Sequence, residues 1–101
     1  MKTPTWRPFP SPRVLAVDVD GTLSNRGNLN ADVLAFVRRR RAEGFGTFLW
    51  SMRGEVYARA AAEAFGCAGD FDHIIGKPGF VLDDQGLLWL RETQIVRDLT
   101  R

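Results

Sequence analysis

Apolar and polar residues fall in short alternating blocks along this chain. Val14–Asp18 (VLAVD) is a run of β-branched and aliphatic residues, the pattern of a strand buried on both faces of a parallel sheet. It leads into the polar sequence Asp18-Val19-Asp20-Gly21-Thr22, and residues 24–28 form a turn rich in Asn and Gly. Residues 31–43 place Val33, Leu34, Phe36 and Val37 at helical spacing, with Asn30 positioned as N-cap and Gly44 as C-terminal stop. Residues 45–51 (FGTFLWS) predict a second buried strand. Residues 55–65, alanine-rich and closed by Gly66, predict a second helix. Residues 71–75 and 80–82 are further apolar runs, the latter ending in Asp83 and Asp84, and residues 86–90 are a last candidate strand. Such alternation predicts an α/β fold: a small, three-layer, doubly wound, Rossmann-like parallel sheet with helices on both faces.

Ahead of the first strand, residues 1–13 carry prolines at 4, 8, 10 and 12. Proline lacks a backbone donor and holds its neighbours extended, so this stretch reads as an N-terminal arm. Residues 14–101 make a single domain, because 101 residues is the size of one domain and excludes a second. With 45% hydrophobic and 26% charged residues, the composition is globular and far from disordered, collagen-like or membrane classes. No run of about 18 apolar residues occurs and the N-terminus lacks a signal-peptide core, so the expectation is a soluble, cytoplasmic protein with no membrane partner. The single cysteine, Cys67, excludes an internal disulfide. The single histidine, His73, leaves no partner for a Cys/His metal site or a His-based triad. A net charge of +2 permits a nucleic-acid partner without indicating one.

The candidate chemistry lies at predicted strand ends, where open α/β sheets bind ligands. The first strand delivers Asp18 and Asp20, the second Ser51, and the run at 80–82 delivers Asp83 and Asp84. Four carboxylates converging on one spot repel one another unless a cation joins them, and an all-oxygen ligand set suits Mg²⁺. Asp18 and Asp20 are two residues apart, so a regular strand puts them on one face, and Gly21 lets the backbone turn away behind them. Ser51, Met52 and Arg53 open the second helix, where free amides, the helix dipole and a guanidinium suit a phosphate. Carboxylate nucleophile, metal and anion cradle together describe phosphoryl transfer through an aspartyl-phosphate.

These residues resemble the haloacid dehalogenase superfamily of phosphohydrolases. Asp18-Val-Asp20-Gly-Thr22-Leu is similar to its first motif, Ser51 to its second, Lys77 in GKP to its third and Asp83-Asp84 to its fourth. Together they span about two-thirds of the chain. The resemblance implies that Asp18 is the nucleophile and a Mg²⁺ ligand. It implies that Asp20 is the general acid/base, with its backbone carbonyl on the metal, and that Ser51 hydrogen-bonds the phosphoryl group. Asp83 and Asp84 would complete the metal shell, and Lys77 would hold the phosphate. The substrate class would be phosphomonoesters: a small phosphate ester, a nucleotide, or an exposed phosphate on a macromolecule.

The chain departs from that family in two ways. Nine residues separate Gly21 from Ala31 and one separates Ile75 from Lys77, so neither usual cap insertion fits and the site should be open. The segment from Lys77 to Asp83 is six residues long. If residues 78–82 extend as a strand at about 3.3 Å each, Lys77 lies roughly 20 Å from Asp83, at the wrong end. Lys77 then serves only if the segment folds back, which assigns some or all of the cationic clamp to Arg53. Residues 76–79 are also too few for a helical crossover, so residues 71–75 are expected to run across a reduced sheet rather than form a regular parallel edge strand.

The remaining features have plainer readings. Arg38–Arg41 sit in the last turns of the first helix, where cations offset the dipole, and read as a solvated helix terminus. Ser51 also suits the N-cap of the second helix. His73 and Cys67 read as packed structural residues and Trp50 as core, while Trp6 and Trp89 would cover a partner surface or pack the termini. Two other functions stay open: a degenerate relative with a binding or regulatory role, and a receiver-like phosphoacceptor module. A homodimer would help so small a core.

Overall fold

The computed structural model of the protein describes residues 12–84, 86, 87 and 90. Strand β1 (Val14–Asp18) is followed by a small antiparallel hairpin, β2 (Ser24–Asn25) and β3 (Asn28–Leu29). Its turn is carried by Arg26 and Gly27 at φ 53° and 81°, the two positive φ values that a tight hairpin of this hand requires. The sequence reading had only a polar turn here. Helix α1 (Ala31–Ala42), strand β4 (Gly46–Ser51), helix α2 (Glu55–Ala64), a 3₁₀ turn (Ala68–Asp70) and strand β5 (His73–Gly76) complete the order.

β1, β4 and β5 form one parallel sheet in that spatial order, with Asp18 opposite Trp50 and Ser51 opposite Gly76. The chain is thus a small α/β unit: a three-stranded parallel sheet with two helices. α1 begins where expected: the Asn30 side chain accepts from the amides of Asp32 and Val33 at 3.2 and 3.4 Å, and Gly44 at φ 95° ends the helix. It buries Val33, Leu34 and Val37, while α2 buries only Ala58 and Ala62 and so lies close against β4 and β5. The core also takes Val17, Val19, Leu23, Leu49, Cys67, Phe71 and Ile74. Burial holds the Cys67 thiol above its ordinary pKa, which keeps it neutral and inert.

Several expectations need correction. Residues 73–76 do form a regular parallel edge strand on β4, not a segment crossing the sheet. The reason lies before the strand: Asp72 exchanges backbone and side-chain hydrogen bonds with Thr47, at 2.8 Å through its amide and 2.9 Å through its carboxylate. Residues 80–82 are not a strand; Phe80 and Leu82 are 98% and 104% exposed. Gly86 and Leu87 lie in a turn, and the rest of the candidate strand at 86–90 falls largely outside the described residues, as do the arm at 1–11, Trp6 and Trp89.

β1 pairs only with β4 among the described residues and is an edge there; Val14 and Ala16, which share one face of it, are exposed instead of buried, while Val17 on the opposite face is buried. β4 alternates, with Thr47, Leu49 and Ser51 buried and Phe48 and Trp50 half-buried, their rings edge-to-face at 5.2 Å. Trp50 is therefore not core, and His73 is exposed rather than packed.

The arginines of α1 do more than offset a dipole. Arg38 grips the Asp70 carboxylate with two hydrogen bonds of 3.0 Å, which raises its own pKa. Arg41 reaches the Thr47 hydroxyl at 3.1 Å, the Asp70 carbonyl at 3.0 Å and the Asp72 carboxylate at 3.0 Å. Thr47 donates its hydroxyl to the same Asp70 carbonyl at 2.8 Å. This network staples α1 and β4 to the segment that feeds β5.

Candidate functional site

The carboxyl end of the sheet is built on turns. After Asp18 the chain folds tightly: Leu23 N–H donates to the Asp18 carbonyl at 3.2 Å and Ser24 N–H to the Val19 carbonyl at 2.9 Å, with Gly21 at φ 80°. Val19 and Leu23 are completely buried and anchor this turn, so the two aspartates flanking Val19 are left at the strand end. Asp18 is half-buried and accepts from the Thr22 hydroxyl at 3.5 Å, a long bond.

Asp20 faces α2. Its carboxylate accepts from the Tyr57 hydroxyl at 2.6 Å and stands 3.8 Å from the Arg53 guanidinium, with the two side chains 51% and 64% exposed. Arg53 in turn lies over the Tyr57 ring at 4.0 Å. The hydrogen bond to Asp20 is the main reason the Tyr57 phenol titrates above its ordinary value. Tyr57 was missed in the sequence. No local signal marked it, because Arg53 lies before the N-cap Gly54 and outside α2, so helical spacing does not relate the two residues.

Ser51 ends β4, buried, and its hydroxyl accepts from the Arg53 amide at 3.0 Å. It is not the N-cap of α2, since that place belongs to Gly54 at φ 100°. Instead the Ser51 carbonyl takes two donors, the amides of Gly54 at 3.0 Å and Lys77 at 2.8 Å, and so joins β4, α2 and the end of β5. A Cβ at Gly76 would meet Gly54 Cα at 3.5 Å, an ordinary van der Waals contact, so the end of β5 lies beside the start of α2 at this junction.

The placement of Lys77 overturns the distance argument. It follows a parallel strand and therefore stands at the carboxyl end, its ammonium 5.5 Å from the Trp50 ring. The 20 Å separation assumed that residues 78–82 extend as a strand, and they do not. Met52 is exposed in the turn before α2.

The structure thus gathers Asp18, Asp20, Ser51, Arg53 and Lys77 at one end of the sheet and links Asp20, Arg53 and Tyr57 directly. Asp83 and Asp84 are exposed, and among the described residues no three His, Cys, Asp or Glu side chains group closely enough to hold a metal ion. The donor chemistry of Asp18 and Asp20 still fits Mg²⁺, which often takes one or two protein carboxylates and fills its shell with water and substrate phosphate. A cavity of about 340 Å³ lies elsewhere, against Arg59, Phe71, Asp72 and His73, away from the aspartates. No helix among the described residues is long and apolar enough to cross a membrane. No family model, curated protein or solved structure matches the chain.

Proposed function

We propose that the chain is a cytoplasmic, Mg²⁺-dependent phosphohydrolase of the haloacid dehalogenase type. In this reading its sheet belongs to a capless, doubly wound, three-layer domain with helices on both faces. The observation that carries the reading is the meeting of Asp18-Val-Asp20-Gly-Thr with Ser51 and Arg53 at the carboxyl ends of two paired parallel strands.

The reaction follows from those residues. An Asp18 carboxylate oxygen attacks the phosphorus of a phosphomonoester, forming an aspartyl-phosphate as the bond to the leaving oxygen breaks. Asp20 gives that oxygen a proton, then takes one from the water that hydrolyses the acyl phosphate and frees inorganic phosphate. Tyr57 orients the Asp20 carboxyl through its 2.6 Å hydrogen bond. The Ser51 hydroxyl, the Arg53 guanidinium and the Lys77 ammonium meet the phosphoryl oxygens. Asp18 and the Asp20 carbonyl, with Asp83 and Asp84 as the sequence resemblance implies, would hold a Mg²⁺, which would neutralise charge on the phosphoryl group.

The test is phosphate release from a panel of sugar phosphates, nucleotides and phosphopeptides, with and without Mg²⁺, comparing wild type with Asp18→Asn. Release that needs the metal and vanishes in the variant supports the mechanism. A second reading, a non-catalytic relative that binds phosphate, is favoured by the position of Asp83 and Asp84 outside any acidic group among the described residues. It predicts phosphate binding without release. Stable phosphorylation without release would point instead to a receiver-like module.

A further inference from the structure

Asp20 turns its two carboxylate oxygens to different partners. Oδ1 accepts the Tyr57 hydroxyl at 2.6 Å, whereas Oδ2 stands 3.8 Å from Arg53 Nη1, beyond hydrogen-bond range. One oxygen is thus committed, and the other accepts no hydrogen bond among the described residues. The uncommitted oxygen is the one on the guanidinium side, where a phosphoryl group gripped by Arg53 would lie.

The same tyrosine meets Arg53 with a different part of its side chain. The guanidinium carbon lies 4.0 Å from the centroid of the Tyr57 ring, close enough for its charge to be drawn to the π face. The two partners differ in freedom. Tyr57 is half-buried and packs against the core, and the residue after it, Ala58, is completely buried, so the ring is a fixed surface. The Arg53 side chain is 64% exposed; its amide is tied to the Ser51 hydroxyl at 3.0 Å, but beyond the loose approach to Asp20 its head has the ring as its support among the described residues. A long side chain loses much rotamer freedom when it grips a ligand, and a surface that already holds it lowers that loss.

We propose that Tyr57 is a positioning residue with two separable tasks: its hydroxyl occupies Asp20 Oδ1 and so leaves Oδ2 as the atom that exchanges the proton, and its ring holds the Arg53 guanidinium ready for the phosphoryl oxygens. The first task acts on the rate of the chemical step, because it fixes where the proton is given and taken. The second acts on phosphate affinity, because it prepares the cation before the anion arrives. One residue of α2 thereby sets the spacing between the acid/base on the turn after β1 and the clamp ahead of α2. The task at Asp20 rests on the phosphohydrolase reading; the task at Arg53 needs only that the site binds phosphate.

Two substitutions separate the tasks, since Tyr57→Phe keeps the ring and loses the hydroxyl while Tyr57→Leu loses both. Tyr57→Phe should lower kcat by about tenfold to a hundredfold, the scale for a reacting group let out of place, and leave KM and the Kd for inorganic phosphate within about twofold. Tyr57→Leu should lower kcat alike and also weaken the binding of inorganic phosphate, read by calorimetry with Mg²⁺ present, by about two- to fivefold, the scale of an exposed cation–π contact. In an Arg53→Ala background the difference in phosphate affinity between Tyr57→Phe and Tyr57→Leu should vanish, because the cycle then lacks the partner. A tyrosine that only holds the fold together would move the thermal midpoint and produce no such split. Wild-type kcat in Tyr57→Phe, equal phosphate affinity in Tyr57→Phe and Tyr57→Leu, or an affinity gap that persists without Arg53 overturns the proposal, and turnover by the wild type then leaves the phosphohydrolase reading standing. A wild type that binds phosphate but releases none overturns that reading and the task at Asp20 together, and the affinity cycle decides the task at Arg53 by itself.

Discussion

The two ends of the sheet are held together in different ways. At the amino end Arg38, Arg41, Thr47, Asp70 and Asp72 close on one another at 2.8–3.1 Å, through carboxylates, a hydroxyl and backbone groups. At the carboxyl end the side-chain pairs are looser: Thr22 meets Asp18 at 3.5 Å and Arg53 meets Asp20 at 3.8 Å, and of the bonds between side chains there the Tyr57–Asp20 bond is the short one. Polar groups that satisfy each other fix a fold, whereas groups meant for a ligand must keep capacity unspent. On the proposed function, the contrast separates structural charges from functional ones, although both ends are rich in Arg and Asp.

Substitutions should divide along the same line. Asp18→Asn is expected to lower phosphate release by on the order of 10³-fold or more, because it removes the proposed nucleophile, while the thermal midpoint moves by less than about 4 °C. Loss of fold along with activity would erase the contrast. Lys77→Ala should reduce kcat/KM by about 10²-fold, the scale for deleting a group aimed at a transferring oxygen. Arg53→Ala should cost less, since its side chain is mostly solvated; the opposite ranking would return the clamp to Arg53.

Thr47→Val should spare activity but destabilise by about 1–2 kcal/mol, because it strips a buried hydroxyl from the Asp70 carbonyl and Arg41. Chemical denaturation reads that loss directly. The amino end should also fail in acid. The Thr47 amide bond holds the Asp72 carboxyl below its ordinary value near 3.9. Its contribution is complete above that pH and is lost as pH falls through the depressed folded-state value. Asp72→Asn should therefore flatten the acid limb of the stability profile and leave neutral-pH activity unchanged. The smallest effect is spectroscopic. Tyr57 is the one tyrosine of the chain, so absorbance titration reads it alone, and Asp20→Ala should bring its raised pKa back toward about 10.

The sequence disclosed the elements whose signals are local. Asn30 and Gly44 bracket α1, Gly66 follows α2, and the bounds of β1 and β4 are those of their apolar runs to within a residue. It did not disclose β5 as an edge strand, because the bonds that seat it join Thr47 to residues 23 and 25 positions away, which no window along the chain samples. The same holds for Arg38 and Arg41, which read as a solvated terminus until Asp70 and Asp72 arrive. Residues 80–82 show the converse error: the pattern of a strand is necessary for pairing but supplies no partner. Asp18, Asp20 and Ser51 were legible because each directly ends or follows an apolar run. Tyr57 was not, because its contact with Asp20 is made only when two strand ends and a helix start are brought together.

Gly54 narrows what this position can become. Its φ of 100° strains any side chain, so the serine, threonine or aspartate that caps most helices is excluded where α2 begins. A side-chain cap would satisfy the first-turn amides from within and compete with any incoming anion for them. Mutational drift toward a better-capped, more stable helix is thereby blocked by backbone geometry alone, and the start of α2 is held in a form that only a group from outside the helix can complete.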